Sequence, residues 1–207
     1  MKSTQLLGNG EWLDMELTLA LTKQWMKLFA EKIEANKAYL SDLDTPIGDG
    51  DHGNNMARGM VAVQEAFKSK NPTDVTSALK LVAMSLISKV GGAAGPLYGT
   101  AFLEMAKLST STKDLGLLTE AAVNGIKKRG GANAGDKTMV DVWLVAVPAL
   151  KKNSLTAKQI EEAVQSTKDM EAKKGRASYL GERSIGHLDP GSVSSGYLFQ
   201  ALLEAGE

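Results

Sequence analysis

Apolar residues that return every four positions, in segment after segment, constrain this chain more than any other feature. Leu21, Trp25, Phe29 and Ile33 lie four apart with Leu28 beside them, while Lys23, Lys27, Glu31 and Glu34 fill other faces, as in an amphipathic helix with one buried stripe. Further helices are predicted over about 54–67, 73–89, 96–108 and 116–129, with Leu118, Ala122 and Ile126 four apart in the last. Asn71-Pro72 reads as the cap and first residue of the helix that follows it. A sixth helix runs from Gly135-Asp136 to about Lys151, a seventh starts at Thr156, spaced from Gln159 as in a capping box, and an eighth opens at Asp189-Pro190. In the eighth, Val193, Tyr197 and Ala201 share a face. Leu13, Met15, Leu17, Leu19 and Leu21 alternate as a strand would; the long helical run decides the reading there and leaves the first helix's start open.

The expectation is eight helices, an all-α fold and no strand. An aromatic content of 5% and short β-branched runs agree. Four of the five prolines fall at segment edges, and the exception, Pro148, is predicted to kink the sixth helix or end it early. A chain of 207 residues, 43% hydrophobic, can bury one core, so a single domain over 1–207 is expected. Twenty-four basic residues balance twenty-four acidic ones, which removes the global field that would draw nucleic acid or an anionic membrane. The absence of cysteine excludes disulfides and thiolate chemistry. No run of eighteen apolar residues occurs, and Met1 to Leu13 lacks the apolar core of a signal peptide, so a cytoplasmic protein without a membrane span is expected.

The unusual residues sit in the connections. Asp44-Thr-Pro-Ile-Gly-Asp-Gly-Asp-His-Gly-Asn-Asn55 places Asp44, Asp49 and Asp51 within eight residues, where they repel one another unless a cation or many hydrogen bonds compensate. Oxygen donors and sharp turns, without sulfur and with little imidazole, point to Mg2+ or Ca2+ rather than zinc or iron. An EF-hand is excluded: a register from Asp42 puts Gly53 where the closing Glu belongs, and one from Asp49 puts Met60 there. An Asx-turn that caps the next helix is the plain alternative for a single Asp-Gly pair, but not for the trio with His52 and Asn55 behind it.

Gly91-Gly-Ala-Ala-Gly-Pro-Leu-Tyr-Gly99 allows a backbone to approach a ligand, and its Pro96 suits a first helical turn whose free N–H groups attract phosphate. Close helix packing would use the same residues. Gly130-Gly-Ala-Asn-Ala-Gly-Asp-Lys-Thr138 is not a P-loop, since Asp136 stands between the last glycine and Lys137 and no strand precedes it. Lys137 and Thr138 remain candidate ligand contacts, with Asp136 as a helix cap the alternative. Lys173 to Gly191 combines four cations with recurring glycines in a stretch expected to be helix-free, as a flexible cover over an anion would; a solvated loop is the alternative, and His187 alone reads as structural. Together these are the parts of a phosphoryl-transfer site. Three carboxylates facing a polyphosphate call for a pair of divalent ions.

Ile47-Gly-Asp-Gly-Asp-His-Gly53, Gly91 to Thr100, Gly135-Asp-Lys-Thr-Met139, Asp141-Val-Trp143 and Gly175 to His187 followed by Asp189-Pro-Gly191, in this order over nearly the whole chain, resemble the ADP-binding subunits called DhaL of phosphotransferase-system-dependent dihydroxyacetone kinases. The resemblance implies an antiparallel up-and-down barrel of eight helices with a nucleotide at one end. It implies that Asp44, Asp49 and Asp51 hold two Mg2+ and act in catalysis with Arg183. His52, Gly53, Asn54 and Asn55 would line ADP or ATP, and Gly92, Ala93 and Ala94 would meet phosphate. Gly135, Thr138 and Met139 would border the base, and Arg176, Arg183, Asp189, Pro190 and Gly191 would close the site. Relatives often carry Ser at the place of Ala94, so only a backbone donor is expected there.

By the same resemblance ADP stays bound, receives a phosphoryl group from a phosphohistidine on DhaM, and passes it to dihydroxyacetone held on DhaK. No obligatory general base is expected on this chain. A homodimer is expected, with a transcription regulator as a further partner. The alternatives are an ATP-dependent kinase module that exchanges ADP with solvent, a noncatalytic nucleotide-sensing subunit, and a structural divalent-ion protein.

Overall fold

A computed structural model describes residues 16–207; the reading of Met1 to Leu13 and the Leu13 and Met15 positions lie outside them. Among the described residues nine α-helices occur: α1 Leu19–Ala35, α2 Lys37–Asp44, α3 His52–Lys70, α4 Val75–Lys89, α5 Ala94–Leu108, α6 Leu115–Gly130, α7 Met139–Lys151, α8 Ala157–Ser166 and α9 Pro190–Gly206. Turns of 3-10 helix cover Thr167–Asp169 and Arg176–Ser184. The all-α expectation holds. The extra helix is α2, in the stretch read as a loop: Asn36 breaks the first helix at φ −116°, and the chain restarts at once with Leu40 buried.

Helix starts follow capping chemistry more closely than hydrophobic spacing. α4 begins at Asp74, whose side chain accepts from Ser77 N, while Asn71 ends α3 in a left-handed conformation, φ 38°. The Asn71-Pro72 reading is therefore corrected. α7 is capped by Thr138 with Asp141 reciprocating, and Asp136 instead accepts from Asn133 N. α8 starts at the Thr156–Gln159 box and α9 at Asp189-Pro190, as expected. α7 runs past Pro148 to Lys151; the missing N–H costs one bond in the last turn, where Val147, Ala149 and Leu150 are buried.

Each helix packs on its neighbours in chain order: α3 on α4, α4 on α5, α5 on α6, α6 on α7, α7 on α9, with α9 and α3 both on α1 and α8 resting against α7 and α9. Trp25, Phe29, Tyr98, Phe102, Trp143 and Phe199 are fully buried in the resulting core. Its two buried indole N–H groups are paired: Trp25 Nε1 donates to Leu198 O at 2.8 Å and Trp143 Nε1 to Ser195 Oγ at 3.1 Å. At one end Thr76 Oγ1, opening α4, meets Ser109 Oγ, closing α5, at 2.7 Å, and Gly116, opening α6, abuts Lys151, closing α7. At the other end the first turns of α3, α5, α7 and α9 converge. Leu17 N donates to Lys113 O at 2.8 Å beside an isolated bridge from Glu16 to Asp114, so the chain is extended just ahead of α1, while Leu19 and Leu21 of the alternating set belong to the helix. No helix among the described residues is long and apolar enough to cross a membrane.

Candidate functional site

A cavity of about 620 Å3 opens where those first turns meet, within the size range of small-molecule sites. One wall is the acidic segment. Asp44 closes α2 and turns its Oδ2 onto Asp51 N (3.0 Å) and His52 N (3.3 Å), so it satisfies free N–H groups at the start of α3 from seven and eight residues away. Gly50 adopts φ 74°, and a Cβ on Gly48 would lie 2.0 Å from Asp44 Oδ1, so this tight loop needs both glycines. Asp44, Asp49 and Asp51 each offer an oxygen within 4.8 Å of the others. Burial pushes the Asp44 carboxyl upward and the Asp49 and Asp51 charges add to it, against the two backbone bonds that lower it. An oxygen-only set this close fits a hard divalent ion.

His52 opens α3 with Nε2 3.0 Å from Ser194 Oγ. Ser194 joins Tyr98 OH at 2.8 Å, and Tyr98 joins Ser195 at 2.9 Å, which accepts from Trp143. A buried network thus runs from the core to the cavity floor. Burial pushes the His52 imidazole down to about 4, so it is neutral at neutral pH. Asn55 is held by Arg58, which also donates through Nε to Lys89 O at 2.8 Å, and the bare Gly91 leaves room for the Asn55 amide. Gly92, at φ 64° with open space where a Cβ would stand, leads into Ala93 and Ala94 at the start of α5.

Opposite, Thr138 and Met139 begin α7, and Asp189, Pro190 and Gly191 begin α9. Four helix starts turn their positive dipole ends to the cavity, an environment for phosphate, with His52 N, Val140 N and Ser192 N already satisfied by side chains and the start of α5 left without a side-chain cap. The Lys173–Asp189 stretch, expected to be helix-free, contains 3-10 turns interrupted at Gly181, a short repeat that hydrophobic spacing does not register. Lys174, Gly175, Arg176 and Ala177 from it line the cavity, and Arg176 Nη2 lies 3.1 Å from Asp49 Oδ2.

Most residues singled out in the sequence meet here: Asp44, Asp49, Asp51, His52, Asn55, Gly92, Ala93, Ala94, Thr138, Met139, Arg176 and Asp189 to Gly191 all line the cavity. Others do not line it. Gly53 is buried against Lys37 O, Asn54 is exposed on the outer face of α3, and Gly135 N donates to Asp141 Oδ1 at 2.6 Å. Arg183 is exposed on the 3-10 segment away from the cavity wall. Lys137 lines the cavity but turns its ammonium away, onto main-chain carbonyls. Sequence reasoning missed Arg129, which lines the cavity from the last turn of α6; within Lys127-Lys128-Arg129 it reads only as a basic helix end.

Residues 46–204 match the family model described as the DAK2 domain. The chain is 55% identical to the ADP-binding subunit DhaL of PEP-dependent dihydroxyacetone kinase 1 from Listeria innocua, over 87% of this chain and 93% of that one. It is 53% identical to the DhaL subunit of the PTS-dependent dihydroxyacetone kinase from Lactococcus lactis, over 91% of this chain and 98% of that one. The dihydroxyacetone kinase from C. freundii, solved in complex with AMP-PNP and Mg2+, shares the fold, with a TM-score of 0.71 at 23% identity over 99% of this chain. This chain spans 37% of that kinase's length.

Proposed function

From the premise that the chain belongs to the DAK2 domain family, we propose that it is the ADP-binding subunit of a phosphoenolpyruvate-dependent dihydroxyacetone kinase, a phosphotransferase. On this reading residues 1–207 form one nucleotide-binding unit that takes a phosphoryl group from DhaM and hands it to dihydroxyacetone on DhaK. The observation that carries it is the acidic trio facing four converging helix starts across one cavity. A nucleoside diphosphate with two Mg2+ would supply there a phosphoryl carrier whose charge the site can balance.

The chain's own residues bind and orient. Asp44, Asp49 and Asp51 would hold the metal pair, with Asp44 fixed by its two backbone bonds. The N–H groups of Gly92 to Ala94, at the start of α5 that no side chain caps, would receive phosphate oxygens. Neutral His52 and Asn55 are held in place by Ser194 and Arg58, and Thr138, Met139 and the Asp189-Pro190-Gly191 turn form the remaining wall. The Lys174 to Ala177 rim borders the cavity, and Arg176 lies where it can exchange its carboxylate for an anionic ligand. Positioning and charge balance carry the chemistry, so no general base on this chain is required. A cytoplasmic address, a homodimer, a part in glycerol metabolism and a transcription regulator as further partner belong to the same proposal.

Two measurements test it. Mass spectrometry of ligand released from freshly purified, undialysed protein is expected to find ADP. Reconstitution with DhaK, DhaM and the phosphocarriers is expected to run on phosphoenolpyruvate and not on free ATP. Release of no nucleotide, together with full turnover on ATP, would replace this reading by an ordinary ATP-dependent module.

A further inference from the structure

Lys137 sits in the Gly-Asp-Lys-Thr segment where a phosphate ligand is expected, yet its side chain does something else. It is 2% exposed, and its Nζ lies 2.6 Å from Thr167 O, 3.1 Å from Met170 O and 3.4 Å from Lys168 O, with His187 O completing the set. An ammonium has three protons and no acceptor, so four carbonyl contacts leave no donor for a ligand. Its backbone adopts φ 57°, uncommon for a side chain of this kind. Burial disfavours its charge, while Asp189 and Asp169 favour it.

The carbonyls around it belong to both sides of the 171–188 segment. Thr167, Lys168 and Met170 lie before it, and His187 lies at its far foot. The neighbouring Asp136 O accepts from Lys173 N at 3.0 Å, at the near foot. Further bonds tie the same feet: Gly186 N to Lys168 O at 2.8 Å, Ala172 N to Ser184 Oγ at 2.9 Å and Asp189 N to Thr167 Oγ1 at 3.2 Å. The next two residues, Thr138 and Met139, start α7 and line the cavity. One dipeptide therefore joins the cavity wall to both ends of the segment that bears Arg176.

We propose that Lys137 is a positioning residue, a tethered cation whose carbonyl cage clamps the 171–188 segment over the cavity and so sets how long a nucleotide stays. The inference rests on the nucleotide reading above for its ligand, and on this geometry alone for the clamp. It assigns Lys137 no contact with phosphate.

The chain has no cysteine, so Lys137→Cys introduces a unique thiol, and alkylation with 2-bromoethylamine in denaturant before refolding rebuilds an ammonium of similar reach. In the full chain, Lys137→Cys is expected to speed amide hydrogen exchange across 171–188 by about tenfold and Mg-ADP dissociation by a similar factor. Exchange in α3 to α5 should not change, nor should phosphoryl transfer at saturating nucleotide by more than about twofold; aminoethylation should restore both altered rates. Unchanged exchange across 171–188 would overturn the clamp. So would a fall in saturated transfer with segment exchange and ADP release intact, which would make Lys137 a phosphate contact. A wild-type measurement needs no variant to fold: under limiting acetic anhydride, Lys137 is expected to stay unmodified while Lys173 and Lys174 react, and equal labelling would overturn the cage. A lysine-dependent segment in a protein without affinity for Mg-ADP would support the clamp and overturn the nucleotide reading.

Discussion

Arg176 Nη2 lies 3.1 Å from Asp49 Oδ2, so the 3-10 segment rests on the acidic loop through the same carboxylate proposed to hold metal. The pair is well exposed, and exposed pairs contribute little to stability. Arg176→Ala is therefore expected to change metal-free stability by less than about 0.5 kcal/mol while speeding ADP release about tenfold, by loss of a charged contact to the ligand. Urea denaturation and stopped-flow release of a fluorescent ADP analogue check the two halves separately.

Asp51 separates the metal role from a structural one by the sign of its effect. Asp51→Asn should lower phosphoryl transfer about 100-fold or more. In the presence of a chelator it should leave stability unchanged or raise it, because one of three mutually repelling charges near Asp44 has gone. A loss of metal-free stability with transfer intact would refute the metal assignment.

Asp189 gives a pH dependence. Burial pushes its carboxyl up to about 6; the Ser192 bonds lower it, Asp141 raises it and Lys137 lowers it. Between about pH 4 and 6 the folded chain then holds this proton more tightly than the unfolded chain, so its contribution declines as pH rises, by up to about 3 kcal/mol. Asp189→Asn keeps the cap on Ser192 N and removes the titration. The stability of wild type relative to Asp189→Asn should fall from pH 4 to pH 6.5 and stay level above that, as read by urea midpoints.

Gly53 lies inside α3, where alanine ordinarily gains about 1 kcal/mol over glycine. Here a Cβ would stand 1.9 Å from Lys37 O, so Gly53→Ala is expected to destabilise by about 2 kcal/mol or more. Calorimetry of the nucleotide-free protein checks it.

Much of this was legible in the sequence because the site is built from helix starts. Asp189-Pro190 and Thr156 announce themselves by cap chemistry, and the trio of Asp residues by mutual repulsion. What escaped has a common physical cause. α2 is only eight residues long, with Leu40 its one buried side chain, and is set apart from α1 by the break at Asn36; the Arg176–Ser184 turns follow a period that helix spacing does not reveal. Lys137 faces carbonyls contributed from thirty to fifty residues away, a long-range arrangement with no local signature. Gly53 and Gly135, expected to border the nucleotide, lie outside the cavity lining, where a Cβ on Gly53 would meet Lys37 O and Gly135 adopts φ 79°.

The contacts from Thr76 to Ser109 and from Gly116 to Lys151 gather the connections 71–74, 109–114 and 152–156 at the pole remote from the carboxylates. A reporter peptide or affinity handle spliced there would ride on the molecule without touching its working face. Evolutionary tinkering with those bends is likewise insulated from whatever the opposite pole grips.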